Sequence, residues 1–76
     1  MIEVRLFATL APRRPNGGKR FEVEARPGLT ARRIAEEAGL DPADVYLVMI
    51  NGIHGSLDSE LEDGDRLGLF PPVGGG

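Results

Sequence analysis

Hydrophobic and polar positions alternate from the start of the chain: Ile2, Val4, Leu6 and Ala8 are set against Glu3, Arg5 and Phe7. A period of two is what a strand with one buried face requires. Pro12, Pro15 and Asn16-Gly17-Gly18 then break the chain into a turn. Phe21, Val23 and Ala25 resume the alternation against Arg20, Glu22 and Glu24. The pattern predicts an antiparallel hairpin.

Pro27-Gly28 ends the second strand, and the period then changes. Thr30 is placed to cap a helix, with Leu29 before the cap and Ile34 four residues after it at the spacing of a hydrophobic staple. Ala31, Ile34, Ala35 and Ala38 form a narrow apolar stripe, and Gly39 suits the left-handed closing position. The stripe predicts a helix of about nine residues, about 13 Å long at 1.5 Å per residue. Arg32 and Arg33 sit at its positive end and Glu36 and Glu37 at its negative end, against the macrodipole. Pairs at i,i+4, Arg32–Glu36 and Arg33–Glu37, offset part of that cost.

Asp41-Pro42-Ala43-Asp44 predicts a short helical turn capped by Asp41. The apolar run Tyr46 to Ile50 ends in Asn51-Gly52, a strong hairpin-turn dipeptide, and Ile53 and His54 begin a return strand. Glu62-Asp63-Gly64-Asp65 predicts a turn, Leu67 and Leu69 set the inward phase of a last strand, and Pro71-Pro72 stops it. The order is β-β-α-β-β-β, an α+β architecture in which one helix crosses one face of one sheet.

A helix of that length covers a single face, so the opposite phase should be polar throughout. It is not: Phe7, Leu47, Met49 and Phe70 all fall on the uncovered phase. If the first, third and last strands are neighbours, these four form one exposed apolar patch, the usual mark of a partner surface. The alternative is that residues 10–18 fold over part of it.

Composition narrows the chemistry. The chain has 76 residues, enough for one small domain, and its 41% hydrophobic and 28% charged content is globular. It has no cysteine, which excludes disulfides, thiolate metal sites and a cysteine nucleophile. His54 is the only histidine, so no His cluster or Ser-His-Asp triad can be assembled. No phosphate-binding loop, dinucleotide fingerprint or zinc motif is present, and Asp58, Glu60, Glu62, Asp63 and Asp65 do not follow the calcium-loop pattern. No metal and no bound cofactor are expected. The net charge of −3 argues against nucleic acid as a partner. Neither a membrane span nor a signal peptide is evident, which predicts a cytoplasmic protein without a membrane partner. Residues 1–35 carry eight Lys/Arg and three Glu, whereas residues 36–76 carry one Arg and nine Asp/Glu. Such a split either pairs off on folding or leaves a dipolar surface that steers docking.

The remaining chemistry lies at the C-terminus. Pro71-Pro72 favours a stiff, extended backbone that projects residues 73–76 from the sheet by up to about 14 Å. Gly74, Gly75 and Gly76 have no side chains, so they can thread a narrow channel and present an unshielded carboxylate, which suits activation as an acyl-adenylate. A frayed or trimmed end is the alternative.

The string Asp63-Gly64-Asp65-Arg66-Leu67-Gly68-Leu69-Phe70-Pro71-Pro72-Val73-Gly74-Gly75-Gly76 resembles the C-terminal signature of the MoaD/ThiS sulfur-carrier family. Val4-Arg5-Leu6-Phe7-Ala8 and Val48-Met49-Ile50-Asn51-Gly52 resemble it too, so the likeness covers essentially the whole chain. It implies a ubiquitin-like β-grasp fold with a mixed sheet over residues 1–70 and an extended tail over residues 71–76. It also implies that Gly76 is adenylylated by a ubiquitin-activating-like, ATP-dependent enzyme and becomes a thiocarboxylate whose sulfur passes to an acceptor enzyme. The chain would then be a carrier rather than an enzyme, with Phe70, Pro71, Pro72 and Val73 leading Gly74, Gly75 and Gly76 into the partner's active site. The Phe-Pro-Pro-Val lead-in is similar to the small subunit of molybdopterin synthase, whereas the short connection after the first strand is nearer the thiamine-pathway carrier. A ubiquitin-like modifier of lysines would need the same tail. A plain interaction module docking through Phe7, Leu47, Met49 and Phe70 would not need it.

Overall fold

Among the described residues, the alternations and caps settle into five strands, one α-helix and a 3₁₀ turn. A computed structural model of the chain describes residues 1–7 and 19–72. Its elements are β1 (Ile2–Leu6), β2 (Arg20–Val23), α1 (Ala31–Glu37), a 3₁₀ turn (Pro42–Asp44), β3 (Leu47–Ile50), β4 (Ile53–Gly55) and β5 (Arg66–Phe70). The strands form one sheet in the order β2-β1-β5-β3-β4. β1 and β5 run parallel, and the other neighbouring pairs are antiparallel. The turn expected at residues 12–18, and Ala8, lie outside the described residues.

One face of the sheet builds the core. Ile2, Val4 and Leu6 of β1, Val48 of β3 and Leu67 and Leu69 of β5 are buried together with Leu29, Ala31, Ile34, Ala35, Leu40, Val45 and Leu61. These are the inward phases of the alternations, closed by the apolar stripe of α1. No polar residue is buried among those described. Ala25 lies beyond the end of β2, yet it packs half-buried against this core.

The helix spans seven residues rather than the nine expected, because its caps claim both ends. Thr30 stays extended as the N-cap, and its Oγ1 accepts the Arg33 N–H at 3.2 Å. At the other end the Gly39 N–H donates to Glu36 and the Leu40 N–H to Ala35, at 3.0 and 2.9 Å. This double closure requires a left-handed residue after the cap, and Gly39 has φ of 85°. The remaining free donors of the first turn are satisfied from afar. Ala31 N–H donates to Ser59 and Arg32 N–H to Leu57, at 3.1 and 2.8 Å.

The charge asymmetry is partly resolved by pairing across the two halves. Arg26 and Arg33 both donate to Glu37, and Arg32 donates to Asp58 at 3.2 Å. The expected Arg33–Glu37 pair therefore forms, but Arg32 turns away from Glu36 to the loop that closes over the helix start. Asp65, on the turn before β5, accepts from the Asn51 side chain and the Glu62 N–H, while Asn51 Oδ1 accepts the Arg66 N–H. Asp58, Glu60, Glu62 and Asp63 are exposed to solvent, while Asp65 ties the turn to Asn51. No described helix is long and apolar enough to cross a membrane.

Candidate functional site

The strand order makes β1, β5 and β3 neighbours, so the outward-phase residues meet on the face that α1 leaves open. Leu47 stands opposite Phe70, and Met49 opposite Gly68. Phe7 follows β1, and its N–H donates to the Leu69 carbonyl at 3.1 Å, which carries its ring alongside Phe70. The two rings stack with centroids 4.2 Å apart and planes 4° from parallel. Phe7, Leu47, Met49 and Phe70 are therefore brought together as one patch. Phe7 is 37% exposed and the others are half-buried, and the stack covers one face of each Phe ring.

Gly68 makes the stack possible. A Cβ there would lie 3.3 Å from the Phe7 ring, 3.4 Å from the Phe70 ring and 3.8 Å from Met49 Cβ. Sequence reasoning passed over Gly68. Its signal was a glycine at an outward phase inside an apolar strand, where a close approach of other groups is the usual reason.

The polar surroundings also went unread. Arg5 and Arg66 border the patch with Phe7, Met49 and Phe70. Arg5 Nε donates to Glu3 at 2.6 Å. That hydrogen bond, reinforced by the charges of Arg5, Arg20 and Arg66, holds the Glu3 carboxyl below the usual carboxylate range. Arg20 stands opposite Arg5, and Glu22 opposite Glu3, on the same open face.

The root of the tail is fixed at the end of the patch. Tyr46 precedes β3 and is 72% exposed, so the strand starts one residue later than the apolar run. Its N–H donates to the Phe70 carbonyl at 2.8 Å, the last pairing before the prolines. Pro71 is half-buried and Pro72 exposed. Val73, Gly74, Gly75 and Gly76 lie outside the described residues. His54 is exposed on β4 opposite Met49. No group of three or more His, Asp or Glu among the described residues could hold a metal ion. The surface is suited to docking and to presenting the chain beyond Phe70.

Comparison with known proteins places this geometry. The protein assigned as molybdopterin converting factor subunit 1 of Pyrococcus furiosus is 32% identical, with a TM-score of 0.70 over 95% of this chain and 97% of that one. Subunit 1 of the same factor from Helicobacter pylori, solved in complex with subunit 2, is 31% identical, with a TM-score of 0.61 over 99% and 97%. The small archaeal modifier protein SAMP1 of Haloferax volcanii is 29% identical, with a TM-score of 0.72 over 99% and 98%. No curated protein matches by sequence. The ThiS family model matches residues 4–76. With its mixed sheet packed against α1, the chain is a ubiquitin-like β-grasp protein and belongs to the ThiS family of small sulfur carriers.

Proposed function

We propose that this protein carries sulfur as a thiocarboxylate on Gly76 and delivers it in the biosynthesis of a molybdopterin-type cofactor. The observation that supports this most is the family match running through Gly75 and Gly76 to the chain's end. The two molybdopterin converting factor subunits among its structural neighbours favour that pathway. In this reading a ubiquitin-activating-like adenylyltransferase holds ATP. A Gly76 carboxylate oxygen attacks the α-phosphorus, and pyrophosphate leaves. A sulfide equivalent from a sulfur donor then adds to the acyl carbon, and AMP departs, leaving one sulfur in place of one oxygen.

The chain's own part is recognition and presentation. Phe7, Leu47, Met49 and Phe70 dock on the activating enzyme and later on the acceptor, and Pro71-Pro72 stiffens the start of the tail. Val73, Gly74 and Gly75 then enter the active site, where glycine leaves the acyl carbon open to attack. The catalysis belongs to the partners.

Incubation with ATP, a sulfur donor and extract of the source organism tests the reading. Intact-mass analysis with fragmentation is expected to show one oxygen replaced by sulfur at Gly76, and no such gain in a chain ending at Gly75. Sulfur acquired at the normal rate by the shortened chain would refute it. The modifier name of SAMP1 favours a second reading, in which the Gly76 carboxyl forms isopeptide bonds to lysines. Gly76-to-lysine adducts in the extract would identify it.

A further inference from the structure

We infer that the open sheet face is built for a protein segment that presents carboxylates beside an apolar side chain. The inference rests on the carrier reading only for which protein docks; the chemistry of the docked surface comes from the face itself. A shallow depression there is lined by Arg5, Phe7, Met49, Arg66, Gly68 and Phe70, and no described Asp or Glu lines it. Gly68 forms the floor, with the stacked rings on one side and Met49 on the other. An apolar side chain of the partner fills this space.

Charge decides the rest of the fit. Arg66 and Arg20 form no ion pair with a described residue, and Arg5 is tied only to Glu3. Among the described strand residues, Glu3 and Glu22 are the acidic ones on the open phase: Glu22 lies on β2, and Glu3, opposite Arg66 and hydrogen-bonded to Arg5, sets one carboxylate beside the guanidinium groups of Arg5, Arg20 and Arg66. The chain as a whole is acidic, with a net charge of −3. The guanidinium groups around the apolar floor are therefore opposite in sign to the net charge of the molecule. Glu3 is already taken by Arg5, so covering the face with an uncharged surface leaves Arg66 and Arg20 desolvated without a paired counter-charge. Carboxylates beside the apolar anchor accept from their N–H groups, whereas a basic surface is repelled. Nucleic acid fits less well, because the mutual stack takes up one face of each ring and the chain as a whole is acidic.

Two measurements decide it. Amide NMR of the full chain is followed during titration with a capped Glu-Leu-Phe-Asp peptide and with its Gln-Leu-Phe-Asn counterpart. Saturable shifts are expected at Phe7, Met49, Arg66, Gly68 and Phe70, weaker by up to about fivefold for the neutral peptide or for Arg66→Gln. An equal response to both peptides, or none on this face, overturns the inference. So does tighter binding of an oligothymidylate. A dimer in sedimentation that disperses in Arg66→Gln would assign the face to a second copy and overturn it as well.

Adenylylation by the activating enzyme is then measured against salt. Arg66→Gln is expected to raise KM for the carrier, leave kcat alone and flatten the salt dependence. Normal KM in the variant refutes the inference while the carrier reading stands. A wild-type chain that is never adenylylated refutes the carrier reading, and the peptide titration still decides the surface.

Discussion

At the scale of single residues, the open face depends on a side chain that is absent. Gly68 gives Phe7 and Phe70 room to stack: a Cβ there would press the Phe7 ring back by a few tenths of an ångström, and a larger side chain by more. Gly68→Val is expected to unstack the rings at a cost of about 1–3 kcal/mol, as overpacking does in well-filled sites. Loss of the ring-current shifts at Phe7 and Phe70 together with a lower Tm would check this; unchanged aromatic signals would contradict it. Met49 behaves differently, since it is half-buried and faces away from the core. Met49→Asp is expected to weaken partner binding with a change in stability below about 1 kcal/mol. A large fall in Tm would show that its side chain is core after all.

At the scale of elements, α1 shows how little of a short helix's stability is its own. Seven residues are too few to form a helix alone in water. What holds α1 is the Thr30 cap, the double closure at Gly39, and the carbonyls of Leu57 and Ser59 that take the first free donors. Glu37 adds an electrostatic tie. The Arg26 hydrogen bond, with help from Arg33, holds its carboxyl below the usual carboxylate range. A carboxylate with a depressed folded-state pKa stabilises at pH above its unfolded value, and the gain disappears as pH falls through the folded one. Glu37→Gln is therefore expected to lower Tm slightly at neutral pH. The gap from wild type should close in acid and shrink in high salt, because the pair is exposed to solvent. A gap that persisted in acid would place the effect in packing instead.

At the scale of the whole molecule, the sheet depends on its central strands. β5 pairs with both β1 and β3, and Leu67 and Leu69 on it are almost fully buried. Leu69→Ala is expected to cost about 2–5 kcal/mol by removing buried methyl groups from a core with little to spare. Denaturant unfolding measures it, and a loss under about 1 kcal/mol would mean that the core refills the space. The same central position makes β5 the link between core and tail. Its inward residues hold the fold, and its outward residues, Arg66, Gly68 and Phe70, stand on the face that α1 leaves open.

The features legible in the sequence are those decided within a few residues. Alternation marked the inward faces of the strands, Thr30 and Gly39 marked the helix ends, and Asn51-Gly52 marked a two-residue hairpin turn in which both residues have positive φ. The phase of Phe7, Leu47, Met49 and Phe70 could be read in the same way, because each depends only on its own strand. Their union into a patch could be stated only as a condition on strand order. Tertiary structure decided that β5 lies between β1 and β3, that Gly68 is the seat of an aromatic stack, that Arg66 borders it, and that the loop through Leu57 and Ser59 completes the helix start. Those contacts join residues far apart in the chain, and their energy depends on register and distance, which no local pattern encodes. Sequence by itself therefore determined which side of each element turns inward, while the packing of distant elements decided which outward residues share a surface.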